Sequence, residues 1–252
     1  MTAAAVRNTS ARIPTPRAAG DDCPAPQAAS IPPAVAYQRV LHQLVRRELR
    51  LVADLATWAP ADDAERIAAL TAHSGLITHV LLHHHATERE AIWPALLRNL
   101  PPDRQAEARA AVDAWTAGCA RTDHRLRDVS TAARQWAVAL TPSARDAFAM
   151  ACLDVADVVD ARTADEERTF LPLLGAHLGA DDWAAIARSS RCTLPARDQL
   201  MVLGLALEDA CAGDRARVLE GLPRSARWAW RFGGERHYRA TVVRLRGEPP
   251  AR

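Results

Sequence analysis

Apolar residues recur every three or four positions over four long stretches of the chain, which is the spacing of one face of an α-helix. The stretches lie at about residues 32–58, 64–97, 102–140 and 142–175. They are joined by short segments that carry proline or glycine, and short connections favour antiparallel neighbours. The pattern predicts an all-α fold, an antiparallel up-down four-helix bundle at residues 32–185 with extra C-terminal helices.

The first and fourth predicted helices carry ionisable residues inside their apolar faces. The first has two adjoining apolar stripes, which indicates contact with two neighbouring helices, and His42 lies in one of them. The inward stripe of the fourth helix includes Arg162 and Glu166 between Val155 and Phe170. Buried ionisable groups are costly unless they are paired or bind a metal, so these positions need a chemical explanation.

The third helix has a weaker apolar pattern. Its inward stripe is expected to be unusually polar and to consist of Asp113, Ala117, Ala120, His124, Asp128 and Thr131. In the second helix, Pro94 is expected to kink or end the last turn, because proline disturbs the interior of a helix.

The two ends of the chain differ from the bundle. Residues 1–31 are rich in Ala, Pro, Thr and Ser without periodicity, which predicts a disordered tail. Residues 186–252 are predicted to form a helical extension, including one helix at 197–212. Near its end lies a cluster that is either a lid packed on the bundle or a partner surface, because such residues are enriched in interfaces. The cluster consists of Trp228, Trp230, Arg231 and Arg236.

Composition and charge narrow the possible partners. The chain has 32 basic residues, all Arg, against 30 acidic ones, for a net charge of +2, which argues against nucleic acid as the principal partner. No segment approaches an apolar run of about 18 residues, and the N-terminus has no apolar signal core, so we expect no membrane partner and a cytoplasmic location. The 5 cysteines are widely spaced and resemble core residues of a reducing compartment.

Common catalytic motifs are missing from the sequence. It contains no Gly-rich phosphate loop, no Gly-x-Ser-x-Gly elbow and no cysteine arrangement for nucleophilic catalysis. We therefore expect a binding protein rather than an enzyme.

One pair of residues points to a metal site. His84 and Glu88 are four residues apart, so on a helix they project from the same face. An imidazole and a carboxylate from one helix are what a metal site in a bundle core requires. Side chains from the predicted inward faces of the other three helices can converge with them, and the mixed set suits iron or manganese better than calcium. The predicted metal ligands are His42, His84, Glu88, His124 and Glu166.

Motifs around these residues resemble a known family. They are His42 six residues before Glu48, the run His-His-Ala-Thr-Glu-Arg-Glu-Ala-Ile-Trp-Pro-Ala-Leu from His84, the pair Asp123-His124, and Asp-Glu-Glu-Arg-Thr-Phe-Leu-Pro-Leu-Leu from Asp165. Over about residues 35–185 they are similar to hemerythrin-like, or HHE cation-binding, proteins. The similarity is greatest to actinobacterial members, many of which carry a C-terminal extension. It implies a four-helix bundle with a non-haem di-iron centre that binds dioxygen, nitric oxide or peroxide, or that senses iron or redox state.

Two positions depart from the family pattern. The family has a His four residues before the first Glu of the fourth-helix motif, and here that residue is Arg162. Arginine stays protonated and has no lone pair for a metal. Arg121, three residues before His124, stands where related sequences often show Glu. Both changes place a positively charged side chain near a site that should bind a positively charged metal ion.

The departures leave two hypotheses. In the first, the other groups still bind a metal, with His83, His85 or water in the vacant position. In the second, the protein is a metal-free helical interaction module that kept the fold. Arg162 then pairs with Glu88 or Glu166 and supplies the positive charge that a metal would have supplied.

Overall fold

The computed structural model describes residues 31–190 and 193–247, and it confirms the all-helical fold class. The predicted tail at residues 1–31 lies outside the described residues, apart from Ile31. The helices are α1 Pro33–Trp58, α2 Ala64–Thr87, α3 Trp93–Asn99, α4 Pro102–Ala139, α5 Pro142–Thr169, α6 Leu171–His177, α7 Ala180–Ser189, α8 Ala196–Glu208, α9 Ala212–Gly221, α10 Arg224–Ala229 and α11 Glu235–Arg246.

Helices α1, α2, α4 and α5 form the bundle, in which each packs against two of the others. The buried apolar residues of these helices fall into two clusters, one near each end of the bundle. Buried polar residues lie where one cluster gives way to the other along the chain: Gln38 and His42 of α1, His84 of α2, Thr122 of α4 and Glu166 of α5. The polar residues of the four helices therefore form one layer inside the bundle, and the site described below lies in that layer.

A wide π-helical turn, Glu88–Ile92, joins α2 to α3. It lies just before Pro94, which has no backbone N–H to donate and whose ring does not fit an uninterrupted α-helix. The expectation that Pro94 disturbs the end of this helix is confirmed. Such turns are frequent at functional sites, and this one starts at Glu88, whose side chain is fully buried.

The predicted inward face of α4 is wrong. All six residues of the expected polar stripe are exposed. The helix instead buries a stripe at alternating spacings of four and three, the pattern of a helix seam, because this stripe holds the two tryptophans and the larger aliphatic residues. The buried stripe is Trp115, Cys119, Thr122, Leu126, Val129, Ala133 and Trp136.

The C-terminal extension is joined to α1 by buried charges. Glu48 of α1 is fully buried and accepts hydrogen bonds from Arg47 at 2.6 Å and from Arg246 of α11 at 2.7 Å. His73 of α2 lies 2.7 Å from its other oxygen. Arg246 also donates to Glu208 of α8, at 2.6 Å. Four helices therefore meet at one network of charges, and the extension is part of the folded body.

Two details of the extension differ from expectation. The helix predicted at residues 197–212 is α8, which ends four residues earlier than expected, at Glu208, and a separate helix α9 starts at Ala212. The terminal aromatic cluster is divided: Trp230 is buried, whereas Trp228 is exposed and its ring stacks on Phe232. Within the described residues, no helix is both long enough and apolar enough to cross a membrane.

The network around Glu48 predicts a large effect of one arginine. Arg246→Ala removes one charged donor from each of two buried carboxylates, Glu48 and Glu208, although both keep other partners. We therefore expect the free energy of unfolding to fall by about 2–3 kcal/mol. Arg244, two residues away, is exposed. Arg244→Ala should therefore change the free energy of unfolding by no more than about 0.5 kcal/mol. Urea unfolding of the two variants measures the difference. Equal effects would show that the network adds little to stability.

Glu48 also predicts how stability depends on pH. Burial acts to raise its pKa, but His73, Arg47 and Arg246 outweigh burial and hold the pKa far below its ordinary value of 4.5. The stabilisation by Glu48 is thus complete above about pH 4.5 and is lost as the pH falls towards the folded-state pKa. We expect the difference in unfolding free energy between wild type and Arg246→Ala to shrink below about pH 4.5. A difference that stays constant on acidification would contradict this account.

Candidate metal centre

Four potential metal ligands meet in the polar layer of the bundle. His42 comes from α1, His84 from the last turn of α2, Glu88 from the start of the π turn and Glu166 from the end of α5. One ligand atom from each lies within 4.8 Å of the others. All four residues are buried, with no more than 6% of their surface exposed. Among the described residues, this cluster is the one that has the composition and spacing of a metal site.

The inner atom of each ligand has no hydrogen-bond partner in the described structure. These atoms are His42 Nε2, His84 Nε2, Glu88 Oε2 and Glu166 Oε1. His42 Nε2 lies 3.3 Å from Glu166 Oε1, and His84 Nε2 lies 3.3 Å from the other oxygen of Glu88. Buried polar atoms nearly always have a partner. Four unpartnered lone-pair atoms that face one another are the arrangement that a bound metal ion satisfies.

The outer oxygen of each carboxylate is held by a neutral donor. The amide Nε2 of Gln38 donates to Glu88 Oε1 at 2.7 Å. The indole Nε1 of Trp115 donates to Glu166 Oε2 at 2.9 Å. These bonds fix the orientation of the carboxylates, as outer partners do in metal sites, and leave Glu88 Oε2 and Glu166 Oε1 without a hydrogen-bond partner.

The imidazole rings are oriented in the same way. His42 Nδ1 lies 3.0 Å from Glu167 Oε1, and that carboxylate is also paired with Arg46 at 3.0 Å. His84 Nδ1 faces the hydroxyl of Tyr37 at 3.5 Å. A proton on Nδ1 leaves the lone pair of Nε2 available for a metal.

The pKa shifts show that protons and a metal ion would compete for this site. Burial holds the pKa of His84 well below its ordinary value, so the ring is neutral and able to bind a metal. Burial, reinforced by the negative charge of Glu166, raises the pKa of Glu88 well above its ordinary value. Burial opposes the charged form of His42, but Glu166 and Glu167 outweigh burial and raise the pKa of His42, so a metal ion would displace a proton from this ring. A cation between the two carboxylates would remove the repulsion that raises the pKa of Glu88.

Comparison with known families agrees with this geometry. The family model for the hemerythrin HHE cation binding domain matches residues 34–174, which is more than half of the chain. The chain belongs to the hemerythrin HHE family. No curated protein and no solved structure matches it. The matched region contains the whole bundle and all four residues of the cluster.

His124, the fifth predicted ligand of this HHE domain, lies outside the cluster. Its side chain is 70% exposed, and its Nδ1 lies 3.2 Å from Asp128 on the next turn of α4. The reason is the orientation of α4, which turns Trp115 and Cys119 inwards and His124 to the surface. The prediction that five residues converge is therefore wrong for His124, and metal binding by the other four stays a prediction.

Arg162 does not pair with the carboxylates of the site. Its Nη2 donates to Cys119 Sγ at 2.9 Å and to the carbonyl of Trp115 at 3.4 Å. Gly118 makes room for it, because a Cβ there would overlap the guanidinium. In the described part of the chain, no carboxylate oxygen lies within salt-bridge distance of Arg162. The expected pairing with Glu88 or Glu166 is thus wrong.

Other residues named from the sequence also lie away from the centre. Arg121 is exposed on α4 and does not enter the site. His85, considered as a replacement ligand, is turned towards α4, where its Nδ1 lies 2.6 Å from Asp123. His83 is half-buried and is not part of the cluster.

Sequence reasoning missed the residues that hold the ligands. Gln38 lies four residues before His42, and Glu167 is next to Glu166, so their spacing was visible in the sequence. Their roles were not visible, because each contacts a ligand on another helix. Trp115 was missed with the rest of the buried face of α4.

The bond from Trp115 to Glu166 leads to a test on the metal-free protein. Trp115→Phe removes the donor to a buried carboxylate oxygen, so we expect the free energy of unfolding to fall by about 1–3 kcal/mol. Trp58→Phe is the matched control, because Trp58 is 86% exposed at the other end of the bundle. Denaturant unfolding compares the two. The same small change in unfolding free energy in both variants would mean that the hydrogen bond from Trp115 to Glu166 adds little to stability.

Proposed function

We propose that this protein binds one non-haem iron ion through His42, His84, Glu88 and Glu166. The observation that carries the proposal is the convergence of four buried lone-pair atoms without hydrogen-bond partners. Membership of a cation-binding family supports it.

One ion, rather than two, is favoured by the number of ligands. A non-haem iron site with open positions can be built from two imidazoles and one carboxylate. The cluster offers four ligand residues, which is enough for one such ion, whereas two ions would have to share both carboxylates. The ligand set therefore favours a mononuclear centre over the di-iron centre that the family resemblance implies.

The ligand set favours iron and a small-molecule role. Two carboxylates balance the charge of a divalent ion, and mixed imidazole and carboxylate ligands suit iron or manganese. A six-coordinate ion with four protein ligand atoms keeps positions for a small molecule such as dioxygen, nitric oxide or peroxide. We infer binding or sensing of such a ligand by a cytoplasmic protein, rather than turnover of an organic substrate.

The metal-free interaction module is the second candidate. It requires a positive charge between the buried carboxylates, and Arg162 is the residue that would supply it. The contacts of Arg162 with Cys119 and Trp115 do not support that role.

Iron loading tests the proposal. Purified protein is incubated anaerobically with ferrous iron, freed of excess metal and analysed for iron per chain. We expect about one iron per chain in wild type and only traces in His84→Ala and Glu88→Ala, because each loses a ligand. His124→Ala removes the same residue type at an exposed position and should keep the full iron content.

Each other result has a defined meaning. Two ions per chain would overturn the mononuclear centre, and trace iron in wild type would overturn the metal proposal. Binding must also stabilise the fold, by about 2.7 kcal/mol at a free iron concentration one hundred times the Kd. His84→Ala should lack that stabilisation, which chemical unfolding with and without iron measures.

A further inference from the structure

A chain of aromatic rings leads from the metal centre to the protein surface. The ring centre of Tyr37 lies 5.7 Å from that of His84 and 5.1 Å from that of Trp183. Trp183 belongs to α7, which packs on α1, and it is half-buried. Two rings thus connect a ligand of the centre with the outside.

The two side chains have suitable chemistry. Tyrosine and tryptophan lose one electron far more readily than phenylalanine, which does not take part under the same conditions. Electron transfer falls off steeply with distance, so rings at near van der Waals separation are the fastest route. The Tyr37 hydroxyl also lies 3.5 Å from Nδ1 of the ligand His84, so its ring is directly adjacent to the centre.

A second array of rings is less suited to this role. Trp115 donates to Glu166, and its ring centre lies 5.3 Å from that of Trp93. Both tryptophans are buried, so this array leads into the core. The guanidinium of Arg162 lies 5.9 Å from the ring centre of Trp115. A fixed positive charge opposes removal of an electron from that ring, which leaves the route through Tyr37 favoured.

We propose that Tyr37 and Trp183 form a one-electron relay between the metal centre and the surface of α7. The inference rests on the proposed function, because it requires a redox-active ion at the centre. It assigns to these two residues the transfer of electrons, and it requires an oxidant of the peroxide class.

The electron balance is as follows for hydrogen peroxide. Reduction of peroxide to two waters takes two electrons and two protons. With a ferrous ion held by the four ligands, Tyr37 would give one electron together with its phenolic proton, the ion would supply the other electron, and solvent would give the other proton. Tyr37 would then carry a phenoxyl radical, the ion would be ferric, and two waters would have formed. Trp183 then gives an electron and its indole proton to the phenoxyl, which restores Tyr37 and leaves the radical on Trp183.

Iron-loaded protein reacted with limiting hydrogen peroxide tests the relay. Two quantities are measured: the ferrous ions oxidised per peroxide, and the radical trapped by freeze-quench electron paramagnetic resonance. Wild type should oxidise about one ferrous ion per peroxide and show a Trp radical. Tyr37→Phe should oxidise about two and show little radical, because iron must then supply both electrons.

Variants at Trp183 separate the two steps. In Trp183→Phe the radical should stay on Tyr37, with a tyrosyl spectrum. Trp183→Tyr restores an oxidisable ring, so the radical should move from Tyr37 to residue 183 again. Such a rescue would show that Trp183→Phe acts through loss of an oxidisable ring and not through loss of structure at α7. Trp58→Phe is the control, because Trp58 lies 21 residues further along α1, about 31 Å away, and should behave as wild type.

The outcomes distinguish this inference from the proposed function. If the protein binds no iron, the proposed function fails. If it binds iron but wild type and Tyr37→Phe oxidise the same number of ferrous ions per peroxide, without an aromatic radical, the relay is overturned and the iron site stands. Circular dichroism and iron content confirm that each variant is folded and loaded.

Discussion

The structure depends on a buried layer of ionisable groups between two apolar halves of one bundle. Two carboxylates and two imidazoles meet there, and each has an inner atom without a partner. Burying such groups is expensive unless another charge compensates them. The apolar clusters on both sides hold the helices at this spacing whether or not the layer is compensated. The bundle therefore fixes the positions of the helices, and a cation would supply the positive charge that the layer lacks.

The same chain shows how it compensates a buried carboxylate without a metal. Glu48 is as deeply buried as Glu88, yet it has two arginines and a histidine within hydrogen-bond distance, and its pKa falls far below the ordinary value. Glu88 has a single neutral amide donor, and its pKa rises. A buried carboxylate is thus compensated by charged side chains at Glu48 and is left without such compensation at Glu88. The contrast favours a metal at the second site, because in the described structure no arginine donates a hydrogen bond to Glu88, and the charge of Arg162 does not offset the burial that raises its pKa.

The sequence predicted the bundle and three of its helix faces, because apolar spacing and proline-bearing connections are local signals. His84 and Glu88 were found for the same reason, since their spacing of four places them on one side of one helix. The face of α4 was predicted wrongly. Alanine dominates that helix and weakens the apolar contrast, so the alternation of threes and fours from Trp115 to Trp136 was overlooked. Gln38, Trp115 and Tyr37 act across helices, and no local pattern reports such contacts.

Arg162 shows why one departure from a family motif does not by itself decide whether a site works. From sequence, an arginine one helical turn before Glu166 indicates a cation inside the centre. In the structure, Gly118 opens a space on α4 that takes the guanidinium to Cys119 and Trp115. The charge then does two things: it leaves the carboxylates available to a metal, and it makes Trp115 harder to oxidise. An arginine at this position thus removes one family ligand, and by its contact with the Trp115 ring it favours the proposed relay through Tyr37 over a route through Trp115.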